Sequence, residues 1–408
     1  MAVPVFLYHV VGDLTLGKPE LVEFYETETV EAAMRAIGEC SEGAVTVWRR
    51  RGAAQRQHEE PRAVRFVGML NSLDVVAYMA LVGDNERALR SPVSEVVTPN
   101  ASLLKEVDPG TRLIDALEMM REGVRRLLVR KSVAWKGMSK RFSILYHGKW
   151  MKNHDPSAIM LTESSSNQPS SSSFHENSKF CCLSREDVVR FLIGCLGALA
   201  PLPLSSIATL GAISPHYTYI DAISPALEAA RKLPQDPCAI AVVETNFDGA
   251  HKIIGEISAY RLWKSDYLAA ACAMGHFSAA QFVMGFEDNI TTSRSLPQFS
   301  PTSPVEDRIT GVSPRPGKFS SRNIGFLSNP TSPHAIRGFS MFRGRSTPLM
   351  CKHTSSLAAV MAQMLSHRAT HVWVTEADSD DILIGVVSYV DILYAVTRNP
   401  TGPVSSSP

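Results

Sequence analysis

The segment Ile384-Gly385-Val386-Val387-Ser388-Tyr389-Val390-Asp391 runs directly into the apolar stretch 392–396. Its β-branched residues predict a strand, and the Ser with an Asp three residues later predicts a helix start. The same pattern begins again at Gly68, Cys181 and Gly255. A strand that ends in a polar turn and opens a helix leaves backbone N–H groups free to bind phosphate. Four copies predict a repeated structural module.

Each copy is preceded by a predicted helix whose apolar residues share one face. They fall at i, i+3, i+4 and i+7, the spacing of one side of an α-helix. The sets are Val30, Ala33, Met34 and Ile37; Leu113, Ala116, Leu117 and Met120; Ala226, Ala229, Ala230 and Leu233; and Leu357, Val360, Met361 and Met364. Thr29 and Thr111 are predicted to cap the first two helices, and Ser224 before Pro225 to cap the third.

Short apolar strands follow these helices, and a second strand leads into each corner. The first strands are predicted at 44–48, 127–129, 239–243 and 372–374, and the corner helices at 73–81, 187–199, 260–273 and 389–396. Each unit is therefore an extended leading segment followed by helix, strand, strand and helix. The apolar segment 1–11 lacks a basic region and a small-residue cleavage site, so it is predicted to be the first strand rather than a signal peptide.

Composition narrows the functional class. The chain has 408 residues, of which 45% are hydrophobic, and a formal net charge of +1, which excludes a nucleic-acid binder acting through overall charge. Its seven cysteines form no CxxC pair, so we interpret them as reduced thiols of an intracellular protein. The cytoplasm is the default compartment and the nucleus the alternative. The longest apolar stretch, 191–204, contains two prolines and is too short to cross a bilayer, so no membrane span is predicted.

The four units are interrupted by insertions of different composition. Unit one covers 12–82 with an insertion at 49–65, unit two covers 93–199 with an insertion at 131–179, unit three covers 203–274 and unit four covers 348–398. Between units three and four, the segment 288–347 is rich in Ser, Pro, Gly and Arg and is predicted to be a disordered linker. The end of the chain, 399–408, is predicted to be a mobile tail.

Units of helix, strand, strand and helix that end in Gly, two apolar residues, Ser or Thr, two spacers and Asp resemble CBS domains, named for cystathionine β-synthase. The copy at 384–391 carries this motif in full. The order of the units and the opening Val11-Gly12-Asp13-Leu14 resemble plant-type CBS-domain-only proteins with four units. The resemblance implies an α+β fold of β-α-β-β-α type, arranged as two pseudo-symmetric tandem pairs called Bateman modules. Unit one is expected to pair with unit two, and unit three with unit four.

The resemblance also implies clefts that bind adenosine nucleotides or S-adenosylmethionine. An ionised carboxylate accepts two hydrogen bonds from a ribose diol, and a hydroxyl at a helix start can bind phosphate. Unit four offers Ser388 and Asp391 for these roles. Unit two offers Ser184 and Asp187, although Cys181 replaces the Gly and is expected to narrow access to the backbone.

The other copies depart further from the motif. Unit one has the weaker set Asn71 and Asp74, and unit three has Arg261 in place of Asp. A guanidinium has no acceptor for a ribose diol, so the unit-three half-site is expected to be altered or empty. Family clefts often add a basic or ring residue beside the first core strand, for which Arg126 and His371 are the candidates. The alternative is that the polar motif residues only cap helices, and that Arg126 and His371 lie at the surface.

The expected function is non-enzymatic regulation. The protein would sense AMP, ADP, ATP or S-adenosylmethionine and modulate a partner, for which a kinase or a redox enzyme is considered, with a homodimer as one open assembly. No Ser/His/Asp arrangement, P-loop or zincin pattern is found, so neither a catalytic nor a metal site is predicted. Two rivals stay open: a ligand-free scaffold, which the degenerate motifs of units one and three favour, and the regulatory subunit of an energy-sensing protein kinase.

Overall fold

A computed structural model describes residues 3–50, 62–131, 145–146, 149–150, 179–284, 347–377 and 381–398. Most of the predicted insertion 131–179, nearly all of the predicted linker 288–347 and the predicted tail 399–408 lie outside these ranges. The domain boundaries therefore stay predictions.

Each unit contributes a three-stranded sheet and its flanking helices. The first half of the chain contains α1 (Val3–Tyr8), β1 (Phe24–Tyr25), α2 (Val30–Glu39), β2 (Ala44–Trp48), α3 (Arg62–Arg65), β3 (Phe66–Asn71), α4 (Ser72–Val82), α5 (Asn85–Arg90), β4 (Leu104–Val107), α6 (Leu113–Arg121), β5 (Arg126–Arg130), β6 (Leu145–Tyr146), β7 (Lys149–Trp150), β8 (Phe180–Ser184) and α7 (Arg185–Gly194). Short 3₁₀ helices cover Val11–Thr15, Val93–Glu95, Ala101–Leu103, Leu196–Leu199 and Leu202–Leu204.

The second half repeats this order. It contains β9 (Tyr219–Asp221), α8 (Leu227–Arg231), β10 (Ala239–Thr245), β11 (His251–Ser258), α9 (Ala259–Leu262), α10 (Tyr267–His276), α11 (Ala279–Met284), β12 (Met350–Lys352), α12 (Leu357–His367), β13 (His371–Thr375), β14 (Leu383–Ser388) and α13 (Tyr389–Thr397). In every unit the first strand runs parallel to the middle strand, and the third strand is antiparallel to it. The predicted α+β fold with four β-α-β-β-α units is confirmed.

The hydrophobic cores show how the units meet. Sheet residues of units one and two share a cluster around Trp48, and those of units three and four share a cluster around Trp373. These two clusters define the pairs, here called pair 1/2 and pair 3/4. Two larger clusters of mostly helical residues join unit one to unit three and unit two to unit four. All four units are therefore packed around one centre, and they form the two tandem pairs that the sequence predicts.

Several local predictions need correction. The segment expected to form the first strand is the helix α1 instead, and its Phe6 is fully buried in the core shared by units two and four. The predicted helix 260–273 is broken into α9 and α10, because Asp266 accepts a hydrogen bond from the backbone N–H of Ala269 and starts a new helix. Thr29 caps α2 as predicted, at 3.2 Å from the Ala32 nitrogen.

The other two predicted caps are wrong. Helix α6 begins after Arg112 and helix α8 after Ala226, and neither residue makes a side-chain capping hydrogen bond, so Thr111 and Ser224 lie outside the cap positions. The helix predicted at 187–199 ends at Gly194, where a 3₁₀ turn follows. Within the described ranges, no helix has the length and hydropathy needed to cross a membrane.

Candidate functional site

The four strand-to-helix corners converge on a central cavity of about 130 Å³. Every corner contributes at least one residue to its lining, among them Asn71, Ser184, Ala259 and Tyr389. The cavity wall also carries the guanidinium groups of Arg125, Arg126, Arg185 and Arg368 and the carboxylates of Glu42, Glu186 and Asp236. With four cationic and three anionic side chains, the wall has a formal net charge of +1, and Arg126 and Arg185 are already paired with Glu42 and Asp236.

Three buried polar atoms in this wall have no hydrogen-bond partner among the described residues. They are Arg125 Nη2, Arg185 Nε and the Tyr389 hydroxyl. Arg185 otherwise donates to the Asp236 carboxylate and, at 2.7 Å, to the carbonyl of Met120. An unpartnered buried polar atom costs stability, and these three atoms lie in residues that line the cavity.

At the corner of unit four, Asp391 has no basic partner among the described residues. Its Oδ2 accepts hydrogen bonds from the Ser388 backbone nitrogen at 2.8 Å and from the Ser388 hydroxyl at 2.6 Å. Burial raises the pKa of Asp391, although the Ser388 hydrogen bonds oppose this, and the nearby Asp236 charge adds to the rise. This carboxylate is therefore partly desolvated and keeps acceptor capacity.

At the corner of unit two, the corresponding Asp187 forms an ion pair with a lysine. Lys18 Nζ lies 2.6 Å from Asp187 Oδ2 and 3.0 Å from Glu42 Oε1, and the Lys18 side chain is only 6% exposed. The Ser184 hydroxyl donates to Asp187 at 3.0 Å. Arg126, predicted as a ligand residue or a surface residue, is buried and ion-paired with Glu42.

The corner of unit one is also a helix cap. Asn71 Oδ1 accepts from the backbone nitrogens of Leu73 at 2.8 Å and Asp74 at 3.2 Å, while the Asn71 nitrogen donates to Asp74 at 3.0 Å. Burial raises the pKa of Asp74 to about 6, against the opposing charge of Arg125. The amide in place of Ser thus serves the helix start, and Asn71 also lines the central cavity.

The corner of unit three is closed by a buried charge cluster around Glu256. Its carboxylate accepts from Arg261 Nε at 2.7 Å, from Trp373 Nε1 at 2.6 Å and from His371 Nε2 at 2.7 Å. Burial opposes ionisation, but His371 and Arg261 outweigh it and lower the pKa of Glu256 to about 2. Because His371 is fully buried against unit three, the alternative that it lies at the surface is wrong.

A second cavity, of about 420 Å³, opens between units three and four and is here called the lateral cleft. Its rim includes the rings of Tyr217, Tyr219 and His251, and its floor includes Trp373. The Tyr217 hydroxyl is hydrogen-bonded to His251 Nδ1 at 2.9 Å, and the Tyr217 and Trp373 rings meet edge to face. The cleft is bordered by Val386, two residues before Ser388, and by Asp236, which also lines the central cavity.

The motif glycines serve close packing rather than ligand access. A Cβ on Gly385 would lie 2.6 Å from the Ser214 carbonyl oxygen, and one on Gly68 would lie 2.7 Å from the Thr98 carbonyl oxygen. In each case a segment of chain crosses directly over the strand. Cys181 takes this position in unit two and is fully buried, so its side chain contributes to the core.

Sequence reasoning missed Lys18, Asp236 and Glu256. Glu256 had a signal, because a carboxylate inside the apolar strand 253–257 needs a buried partner. Lys18 and Asp236 lie in irregular segments without periodicity, and each meets a partner from another unit. All seven cysteines are unbonded, in agreement with the predicted reduced thiols.

Comparison with known proteins identifies the class. A family model described as the CBS domain matches residues 344–398, the unit with the full motif. The chain is 61% identical to the CBS domain-containing protein CBSX6 of Arabidopsis thaliana over 99% of this chain and 96% of that protein. The protein therefore belongs to the plant CBSX-type family of CBS-domain proteins, which is a regulatory family.

More distant relatives share part of the sequence or only the fold. The chain is 29% identical to the SNF1-related protein kinase regulatory subunit gamma-like PV42b of Arabidopsis thaliana, over 29% of this chain and 38% of that protein. The crystal structure of MJ1225 from Methanocaldococcus jannaschii, proposed as an archaeal homologue of g-AMPK, superposes with a TM-score of 0.51 at 12% identity. That match covers 94% of this chain and 98% of MJ1225, and it shows the fold alone.

Proposed function

We propose that this protein is a non-enzymatic regulator that senses an adenosine-containing ligand in pair 3/4 and modulates a partner protein. The observation that carries the proposal is the position of Asp391. Among the described residues its carboxylate has no cation, and Val386, two residues before Ser388, lines the lateral cleft, although Ser388 and Asp391 themselves do not. The equivalent carboxylate Asp187 is blocked by Lys18.

Each part of an adenosine ligand has a matching surface. Asp391 can accept hydrogen bonds from the ribose diol. The base can stack on the aromatic side chains of the lateral cleft, since every base has a π-face. A phosphate extending past Asp236 would enter the central cavity, whose wall includes Arg125 and Arg185. We therefore expect AMP, ADP or ATP to bind more tightly than the sulfonium cation S-adenosylmethionine.

A route to regulation follows from Asp236. This residue borders both cavities, and it accepts from Arg185, which belongs to unit two. A ligand that binds beside Asp236 thus acts on a contact between the pairs. Regulation requires that the ligand has different affinities for two arrangements of these pairs.

The test is a thermal-unfolding screen with AMP, ADP, ATP and S-adenosylmethionine, followed by calorimetric titration of any stabilising ligand. At a hundred times its Kd, a ligand adds about 2.7 kcal/mol of stability. In the Asp391→Asn variant, which keeps an oxygen for helix capping, we expect at least tenfold weaker binding. The matched control is Asp84→Asn at the exposed start of α5, where the Asp84 carboxylate accepts a hydrogen bond from the backbone nitrogen of Arg87 at 3.2 Å.

Two results would contradict the proposal. If no adenosine ligand stabilises the folded protein, the ligand-free scaffold becomes the better account. If a ligand binds Asp391→Asn as tightly as the parent chain, the site lies elsewhere. Turnover of a nucleotide by the pure protein would instead indicate an enzyme.

The second candidate function is the regulatory subunit of an energy-sensing kinase, favoured by the partial match to the kinase gamma-like subunit PV42b. Co-purification of a kinase that depends on the ligand would support it, whereas a redox enzyme in the same experiment would support the other partner considered. A cytoplasmic location, with the nucleus as alternative, rests on the seven unbonded cysteines. Sedimentation analysis would decide between a monomer and a homodimer.

A further inference from the structure

We propose that Lys18 is a tethered cation that takes the place of a ligand on Asp187 and holds the ligand position of pair 1/2 closed. In unit four the motif carboxylate meets no cation among the described residues, whereas in unit two the same carboxylate is paired with a lysine of unit one. This inference concerns a different site from the proposed function.

In the unit-two corner, Asp187 Oδ2 and both oxygens of Glu42 are engaged by protein groups. Lys18 Nζ bridges Asp187 Oδ2 at 2.6 Å and Glu42 Oε1 at 3.0 Å. The second oxygen of Glu42 is paired with Arg126, and the Ser184 hydroxyl lies 3.0 Å from Asp187 and 3.4 Å from Glu42. A ribose diol that approached Asp187 Oδ2 would have to displace the ammonium group.

Displacement would be costly because the cluster is buried and balanced in charge. Lys18 and Arg126 are opposed by Glu42 and Asp187, and both cationic side chains are less than a tenth exposed. Removing one partner of a buried ion pair leaves an uncompensated charge in a poorly solvated place. A ribose diol is neutral, so it could not compensate the charge of Asp187 after displacing the Lys18 ammonium group.

The backbone fixes Lys18 in this position. Its nitrogen donates to the Thr15 carbonyl at 3.1 Å, and its carbonyl accepts from Lys131 Nζ at 2.6 Å. The Thr15 hydroxyl in turn donates to the Gly12 carbonyl at 2.7 Å. The lysine is therefore held at its own backbone and not only at its charged end.

Pair 3/4 has a different residue at the equivalent position. Val47 and Val242 each oppose the motif glycine of their unit, and they pair with Phe24 and Ile220 on the first strands. Counting six residues back from Phe24 gives Lys18, and the same count from Ile220 gives Ser214. The Ser214 hydroxyl donates to the His216 carbonyl at 3.3 Å. Ser214 and its neighbour Ile213 are both uncharged, so this part of the leading segment provides Asp391 with no counterpart of Lys18.

A reciprocal exchange in the full chain tests the inference. Its first arm needs no ligand: hydrogen exchange of 184–194 is compared in the parent chain, in Lys18→Ser and in Lys179→Ser. Lys179 is the matched control, because its pair with Glu20 is exposed on both sides, at 58% and 54%. We expect at least tenfold faster exchange in Lys18→Ser and no change in Lys179→Ser. Equal exchange in the two variants would overturn the inference.

The second arm uses AMP titration and rests on the proposed function. We expect one AMP per chain for the parent, two for Lys18→Ser, and at least tenfold weaker binding for Ser214→Lys, which adds a positive charge to the segment that crosses Gly385 and Val386. Ser214→Lys leaves pair 1/2 untouched, so it decides the matter even where Lys18→Ser unfolds. If it binds AMP like the parent, Lys18 has only a structural role. If the parent binds no AMP, the proposed function fails. One AMP bound by Lys18→Ser and none by Lys179→Ser would then still support this inference, and no AMP bound by either variant would overturn it.

Discussion

The corners of units two and four share the Ser-x-x-Asp motif and the same capping geometry, yet their carboxylates have opposite surroundings. Asp187 lies under the buried ammonium of Lys18, whereas Asp391 is bonded only to Ser388 among the described residues. The motif residues themselves do not account for the difference between the surroundings of Asp187 and Asp391. The difference comes from the leading segment of the partner unit, which supplies Lys18 in pair 1/2 and Ser214 in pair 3/4. A motif thus locates a corner, and a distant residue decides whether the carboxylate of that corner meets a cation.

The corner of unit three adds a second way of closure. There the residue at the motif position is Arg261, and its guanidinium is held by Glu256 of the preceding strand. The same Glu256 holds Trp373, which forms the floor of the lateral cleft. One buried carboxylate therefore closes the corner of unit three and supports the cleft beside unit four.

The largest expected effect comes from Glu256, the buried carboxylate that supports the cleft beside unit four. Glu256→Gln leaves one acceptor oxygen for three buried donors, so we expect a loss of about 3 kcal/mol in the free energy of unfolding at pH 7, measured with urea. The pKa of Glu256 is lowered to about 2, so its stabilisation is full above pH 4.5 and is lost as the pH falls through 2. The difference between the variant and the parent should therefore shrink in acid.

The control for this substitution is Glu86→Gln. Glu86 faces Arg90 one turn later at 3.6 Å, and both side chains are more than four-fifths exposed. We expect a change below about 0.5 kcal/mol there. A similar loss in both variants would mean that the buried cluster does not support pair 3/4.

A smaller effect concerns the segment that crosses over unit four. In Gly385→Ala the new methyl group would lie 2.6 Å from both the Ser214 carbonyl oxygen and the Ile213 side chain, and we expect about 1–3 kcal/mol of destabilisation. Gly38→Ala in α2, where no atom lies within 4 Å, should instead stabilise the fold by about 0.5–1 kcal/mol. Thermal unfolding measures both. If both substitutions stabilised the protein, the crossing segment, and with it Ser214, would be able to move away from the new methyl group.

Much of the fold follows from local sequence pattern. The strand predicted at 44–48 is observed at those residues, and α4 and α13 extend their predicted ranges by no more than one residue at each end. These elements have strong periodicity and buried faces, which determine structure locally. The short segment that forms α1 has no clear period, and only the burial of Phe6 against distant helices fixes its conformation.

The candidate site was less predictable, for a physical reason. The motif located all four corners, but the ion pairs that distinguish them join residues far apart in sequence, such as Lys18 with Asp187 and Arg185 with Asp236. Neither pair lies within one unit. Their formation depends on how units pack, and local pattern carries no information about that.

The smallest expected effect concerns the corner of unit one. This corner is intermediate between unit two, where Lys18 pairs with the motif carboxylate, and unit four, where no cation does so among the described residues. Burial raises the pKa of Asp74 from 3.8 to about 6, so the folded state is penalised once this carboxyl ionises. The penalty is absent below pH 3.8, grows towards pH 6 and is full above it. Asp74→Asn keeps an oxygen for the Asn71 nitrogen and removes the charge. It should therefore stabilise the protein by about 1–2 kcal/mol at pH 8 and by almost nothing at pH 4.

Urea unfolding of Asp74→Asn at both pH values measures this, with Asp84→Asn at the exposed start of α5 as control. A gain that grows with pH would mean that the Asp74 charge lacks the compensation that Lys18 gives Asp187. Destabilisation at pH 8 would mean that Arg125, whose charge opposes the rise in pKa, acts on Asp74 as Lys18 acts on Asp187. Unit one would then be a third closed corner, and Asp391 would be the one motif carboxylate in the described part of the chain without a cation.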